Sequence, residues 1–175
     1  MSKKYEIRLS GSGGQGLILA GIILADASLI QGINGVQSQS YGPEARGGAS
    51  KAEVIISTEE INYPKVQQCD LLLCLTQKSY DEYIASLKND GILVIDDSID
   101  NHFATDAKIY KLPILKTAIE EMKKPMVANI VSLGAISNIL DILDEKNILS
   151  AVLKRVPPGT ENVNKEAFSK GVSLL

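Results

Sequence analysis

Gly11-Ser12-Gly13-Gly14-Gln15-Gly16 is the segment whose residue types and spacing speak most directly of chemistry. It fits G-x-G-x-x-G, follows a strand-like run at residues 5–9 and precedes an apolar run over residues 17–31. That strand–turn–helix setting gives the pattern weight. Glycines reach positive φ and put no Cβ in a ligand's way. The first-turn N–H groups of the helix then point outward, with the helix dipole favouring an anion. Three readings stay open: a phosphate or other anion of a cofactor or substrate, a dinucleotide, or glycines that only permit tight strand–helix packing. A dinucleotide needs an Asp or Glu about 20 residues on to hold the ribose. Residues 36–40 read Val-Gln-Ser-Gln-Ser, and Glu44 is displaced into a loop. No G-K-[ST] follows the glycines, so the turn is not a P-loop.

The second unusual segment is Tyr41-Gly42-Pro43-Glu44-Ala45-Arg46-Gly47-Gly48. Gly and Pro shape a stiff turn. Arg46 offers a planar fork suited to a carboxylate or phosphate, and Glu44 can orient it when no ligand is present. A purely structural Glu–Arg pair in a surface loop is the alternative. Loops beyond the carboxyl ends of strands in open α/β sheets gather around the ligand crevice.

The remaining candidates carry less. Asn129 is polar within the apolar stretch 127–134 and, if buried, needs partners. It either ties the core to a nearby backbone or faces a ligand. Asp96 and Asp97 follow a buried strand and either approach the crevice or cap residues 98–103. His102, the single histidine, stands in a polar stretch, and without a second histidine a His-based metal centre is implausible. Cys69 and Cys74 flank Leu71-Leu72-Leu73, a spacing that reads as small core residues rather than a redox or zinc pair. Two thiols cannot ligate an iron–sulfur cluster, and no Ser–His–Asp or Cys–His set assembles around the glycines. The chain shows no catalytic residues of its own.

The elements that must position these residues follow from periodicity. Strands are expected at residues 5–9, 36–40, 49–57, 70–75, 92–95 and, as an edge, 108–111. Helices are expected at 17–31, 62–68, 77–87, 117–123, 127–143, 147–154 and 162–170, with Asn89-Asp90-Gly91 a turn and Pro157-Pro158-Gly159 a break. Alternating strands and helices give the α/β class: a single three-layer domain over residues 1–175, with a mostly parallel sheet, helices on both faces and a Rossmann-like first βα turn. The 175 residues suit one domain, and the 45% hydrophobic content suits a packed core. A net charge of −3 disfavours nonspecific nucleic-acid binding. Neither a signal-type apolar region nor 18 consecutive apolar residues is present, so a cytoplasmic location is expected and membrane insertion is not.

Taken together in this order, the glycine turn with its long helix, the Tyr41–Gly48 segment followed by Ala49-Ser50-Lys51-Ala52-Glu53-Val54, the Cys69-Asp70-Leu71 region and Asn129-Ile130-Val131-Ser132-Leu133-Gly134 resemble the γ subunit of the 2-oxoacid:ferredoxin oxidoreductase family. The resemblance spans about the whole chain and looks most like the 2-oxoglutarate subgroup. It implies a non-autonomous subunit of an enzyme that oxidatively decarboxylates a 2-oxoacid, forms acyl-coenzyme A and passes electrons to ferredoxin or a similar acceptor. Thiamine diphosphate with Mg would lie on α and β catalytic subunits, and iron–sulfur clusters in a ferredoxin-like subunit. Coenzyme A is the ligand it suggests for this chain, at Gly11, Gly13, Gly14, Gln15, Gly16, Arg46 and Asn129. Two rivals remain: a stand-alone dinucleotide-binding oxidoreductase, and a structural subunit that binds nothing.

Overall fold

In the computed structural model, residues 1–39, 48–103 and 105–175 are described. Six strands form one sheet in the order β2-β3-β1-β4-β5-β6. They are β1 (Lys4–Gly11), β2 (Asn34–Gln39), β3 (Ser50–Ser57), β4 (Cys69–Cys74), β5 (Leu87–Asp96) and β6 (Lys108–Leu112). The ladders β1–β4, β4–β5 and β5–β6 are parallel, whereas β1–β3 and β2–β3 are antiparallel. Only β3 therefore runs against the others, and the sheet is mostly parallel as expected. The central strands are buried on both faces, which explains their continuous apolar runs.

The two faces are covered unequally. Ile7, Leu9, Val54, Ile56, Leu71, Leu73 and Val94 belong to a large core with α1 (Leu17–Ile30), α4 (Ala128–Ile139), α5 (Glu145–Arg155) and α6 (Glu161–Val172). α3 (Ile114–Lys116), which widens into a π turn over Thr117–Glu121, joins the same side. The opposite face, with Ile55, Leu72, Cys74, Leu93 and Ile95, packs against Tyr80, Tyr83 and Ile84 of the short α2 (Gln77–Tyr83) and the 3₁₀ turn after it. Helices do lie on both faces, but one layer is thick and the other thin.

On the thick side, α4 and α6 approach until their backbones touch. A Cβ on Gly134 would lie 2.1 Å from the Phe168 carbonyl oxygen, and one on Gly171 2.0 Å from that of Val131. No side chain larger than hydrogen fits either position. On the thin side, Arg8 is buried and donates to the Ser86 hydroxyl, to the Val66 carbonyl at 3.1 Å and to Glu53 at 3.4 Å.

Several sequence expectations are corrected. Residues 62–68 form no helix; their backbone is held in irregular form, with the Val66 carbonyl accepting from Arg8. Asn89-Asp90-Gly91 is not a free turn but part of β5, where the β4–β5 register jumps from Cys69↔Leu87 to Leu71↔Ile92 and leaves extra residues in a bulge. α2 ends at Tyr83 rather than 87, and α4 at Ile139 rather than 143. The 117–123 helix begins earlier, at Ile114, directly after Pro113.

Candidate anion-binding turn and its cavities

The glycine turn joins β1 to α1 at the carboxyl edge of the sheet. Gly11 is the last residue of β1, and its missing side chain leaves room for Gln15, whose Oε1 would lie 2.2 Å from a Cβ there. That oxygen accepts the Ser12 N–H at 2.8 Å, and Gln15 N–H reaches the Ser12 carbonyl at 3.4 Å. Gln15 thus closes the turn on itself. Among the described residues, the N–H groups of Gly13, Gly14 and Gly16 have no hydrogen-bond partner. Gly16 is the N-cap of α1 with φ 73° and ψ 27°, and no side chain caps the helix. Four first-turn donors of any helix need an outside partner, and here the protein supplies none from a cap.

Asn129, on the first turn of α4 and 4% exposed, braces this geometry. Its Nδ2 donates to the Gly16 carbonyl at 3.0 Å, and its Oδ1 accepts the Ile130 N–H at 2.9 Å. The fit is tight: a Cβ on Gly16 would lie 2.4 Å from Asn129 Nδ2. Asn129 therefore ties α4 to the turn, the first of the two roles left open by sequence, and also lines the adjoining cavity.

Gly14 and Gly16 lie between two cavities. The first, about 310 Å³, is bounded by Leu19, Met126, Ile130, Val156, Pro157 and Val163, with Lys124, Asn129, Thr160 and Asn164 as its polar wall. The second, about 300 Å³, is bounded by Ser12, Leu17, Ile18 and Ser50. Of the sequence candidates, the structure brings Gly13, Gly14, Gln15, Gly16 and Asn129 together, with Gly11 at the root of the turn. Arg46 and Glu44, and the Tyr41–Gly48 segment up to Gly47, lie outside the described residues.

Lys124 and Asn164 were not singled out by sequence. Asn164 carried a readable signal, standing with Ala167, Phe168 and Gly171 on the buried face of α6. Lys124 carried none; its position depends on Lys123 turning the chain at φ 53° before Pro125. No carboxylate pairs with Lys124 among the described residues.

The other titratable candidates are engaged elsewhere. Asp96 is 1% exposed and accepts from Ser98 N–H at 3.1 Å and from Leu115 N–H, in the first turn of α3, at 2.8 Å. It is a cap for two segments. His102 is exposed, with its ring edge-on to Tyr80 and Nε2 3.7 Å from Asp81. Cys69 and Cys74 are free and buried, and burial pushes their thiols up to about 11 and about 12. At neutral pH both are protonated and inert. Among the described residues, no group of three or more His, Cys, Asp or Glu is placed to hold a metal ion, and no helix is long and apolar enough to cross a membrane.

The topology also bears on the dinucleotide reading. A dinucleotide fold sets its second strand beside the first, both parallel, with an acid at its end. Here antiparallel β3 is the neighbour of β1 on that side, β2 lies beyond it, and Asn34–Gln39 contains no acid.

The sequence pattern of the pyruvate ferredoxin/flavodoxin oxidoreductase family matches residues 6–174. The chain belongs to that family. It is 51% identical to 2-oxoglutarate synthase subunit KorC of Methanocaldococcus jannaschii, over 98% of this chain and 94% of that one. Its fold is similar to the crystal structure of a keto/oxoacid ferredoxin oxidoreductase γ subunit from Geobacter sulfurreducens (TM-score 0.91, 43% identity, 98% and 96% of the two chains). It is also similar to a 2-oxoglutarate:ferredoxin oxidoreductase from Magnetococcus marinus, which has 2-oxoglutarate, coenzyme A and succinyl-CoA bound (TM-score 0.84, 26% identity). There the match covers 98% of this chain but 31% of the other, so in that oxidoreductase the same fold is one part of a longer polypeptide.

Proposed function

We propose that residues 1–175 act as one γ-type domain, a non-autonomous subunit of a 2-oxoglutarate:ferredoxin oxidoreductase, and that its glycine turn holds the phosphates of coenzyme A. The observation that carries the ligand role is the uncapped turn. Among the described residues the amides of Gly13, Gly14 and Gly16 have no partner, and Gly14 and Gly16 border two cavities at the positive end of a 14-residue helix. Subgroup and reaction rest on the KorC relative, which matches this chain nearly end to end.

In this reading the chain transfers no proton and carries no electron. Thiamine diphosphate with Mg on α and β subunits, and iron–sulfur clusters in a ferredoxin-like subunit, supply the carbanion and redox chemistry. This chain binds the coenzyme, orients it through Gly13, Gly14 and Gly16, and helps wall the reacting centre from water. Asn129 keeps the turn open, Gln15 fixes its shape, and Arg46 adds charge toward ligand or partner. The site is in the cytoplasm, where ferredoxin and coenzyme A meet.

Native co-purification followed by subunit identification tests the assembly. Recovery of thiamine-dependent chains supports it, and recovery of the chain alone, oxidising an oxoacid unaided, contradicts it. Gly14→Val in the assembled complex tests the ligand role. A Cβ there meets no atom of the described residues within 4 Å, so the added side chain crowds the ligand space, although φ of 84° strains the turn. The apparent KM for coenzyme A should rise at least about tenfold, the loss of one charge-assisted hydrogen bond or more. An unchanged KM with intact assembly removes the ligand role.

A further inference from the structure

Asn34-Gly35 is the one Asn-Gly pair in the chain, and it opens β2, the outermost strand on its side of the sheet. Asparagine is a thermolabile residue, most of all before glycine. The glycine nitrogen can attack the asparagine Cγ to close a succinimide ring, because no Cβ shields that nitrogen. A folded chain permits the reaction where the carboxamide is exposed, the following N–H is free and the backbone between them has slack.

The start of β2 meets each condition. Asn34 is exposed. Hydrogen bonding along an antiparallel pair alternates from residue to residue. The Thr58 N–H donates to the Lys3 carbonyl at 3.0 Å, so Ile56, in step with Thr58, turns its backbone groups toward β1, and Ser57 turns its own toward β2. Asn34 lies opposite Ser57, and Gly35 opposite Ile56. Asn34 is therefore tied to β3, whereas Gly35 points its N–H out along the open edge of the sheet. Among the described residues, nothing outside the ladder accepts that N–H. Extended backbone holds the Gly35 nitrogen away from the Asn34 Cγ, but Asn34 is the first residue of its strand, where pairing opens most readily. Its side chain has one printed restraint, an exposed hydrogen bond from Nδ2 to the Glu59 carbonyl at 2.9 Å. The glycine itself cannot be exchanged. A Cβ at Gly35 would lie 2.8 Å from the Ser28 Cβ and 3.1 Å from the Ala25 carbonyl oxygen, so packing against α1 keeps the labile pair in place.

We propose that Asn34 is a site of spontaneous deamidation and isoaspartate formation. The Gly35 nitrogen gives up its proton and bonds to the Asn34 Cγ; the Cγ–Nδ2 bond breaks and ammonia leaves. Water then opens the succinimide at either of its carbonyls. One opening restores the main chain with an aspartate side chain. The other routes the main chain through Cβ and Cγ, an isoaspartate, and lengthens it by a methylene. Either product lacks the Nδ2 donor and sets a carboxylate near the Glu59 carbonyl, beside the exposed acids Glu59 and Glu60. The isoaspartate also throws residues 35–39 out of step with residues 52–56 of β3.

The test ages the assembled oxidoreductase at mildly alkaline pH and maps the peptides of this chain by chromatography and mass spectrometry. A protein isoaspartyl methyltransferase is the probe for isoaspartate. The Asn34 peptide should split into parent, aspartate and isoaspartate forms before any other asparagine of the chain changes. The split should quicken as pH rises, because the attacking nitrogen must lose its proton. Asn34→Gln keeps the carboxamide but demands a larger ring, so the split should vanish in that variant. The aged parent complex should also melt a few degrees below the fresh one, and the aged variant should not. Should the variant fail to assemble, the peptide map of the parent decides alone. An unchanged Asn34 peptide, or isoaspartate arising first at another position, overturns the proposal; equal melting losses in parent and variant overturn the loss of register.

Discussion

Two βα turns stand at the carboxyl edge of neighbouring parallel strands, and they begin their helices in opposite ways. After β4, Thr76 caps α2: its hydroxyl accepts the Ser79 N–H at 3.2 Å, while Ser79 returns a hydroxyl acceptor to the Thr76 N–H at 3.4 Å. After β1, the corresponding position is Gly16, in a left-handed conformation with no side-chain cap. A capping residue is worth about 1 kcal/mol, so omitting one is a measurable sacrifice. The chain builds a reciprocal capping box at one turn and at the other leaves glycine amides unpartnered beside two cavities. In the proposed function, the uncapped helix start braced by a buried asparagine is the one that receives a ligand. The capped one is architecture.

Substitutions that break this contrast should scale with how much of the open turn they destroy. Gly16→Ala is the most severe: it places an alanine at φ 73° and drives its Cβ against Asn129. Strain and overlap together should cost about 3 kcal/mol, read by urea denaturation, with loss of coenzyme binding beyond the loss of stability. Asn129→Ala removes the brace and leaves the Ile130 N–H without its side-chain acceptor. We expect about 2 kcal/mol of destabilisation and a raised KM for coenzyme A, because the turn would no longer be held open. Thr76→Ala sharpens the comparison from the other side. It should cost about 1 kcal/mol and leave KM for coenzyme A unchanged. A Thr76 variant that weakened coenzyme binding as much as Asn129→Ala would erase the distinction between the two turns.

The open turn itself was legible in sequence because strand, glycines and apolar helix are contiguous. The same holds for the buried strand at Leu71-Leu72-Leu73, since a continuous apolar run marks a strand covered on both faces. Local pattern failed where distant contacts override it. Residues 62–68 carry helix-compatible types with Pro64 near their start, yet the Val66 carbonyl is claimed by Arg8 from β1. Asn89-Asp90-Gly91 has turn chemistry, but Gly91 lies close against the Asp70 and Lys88 carbonyls and is absorbed into β5 as a bulge. Asn129 was named from the sequence, but Lys124 and Asn164 were not, and no local pattern shows which side chains reach the turn. Lys124, Asn129 and Asn164 share a cavity wall with Gly14 and Gly16 through contacts between residues far apart in the chain.

Hydrogen–deuterium exchange of the assembled complex with and without coenzyme A tests the central claim most directly, because both turns report in one experiment. Amides 13–18 should exchange markedly more slowly when the coenzyme is present, while those of 77–79, already capped by Thr76, should not change. Unaltered exchange at the glycine turn under saturating coenzyme, with protection appearing only elsewhere, would contradict the account.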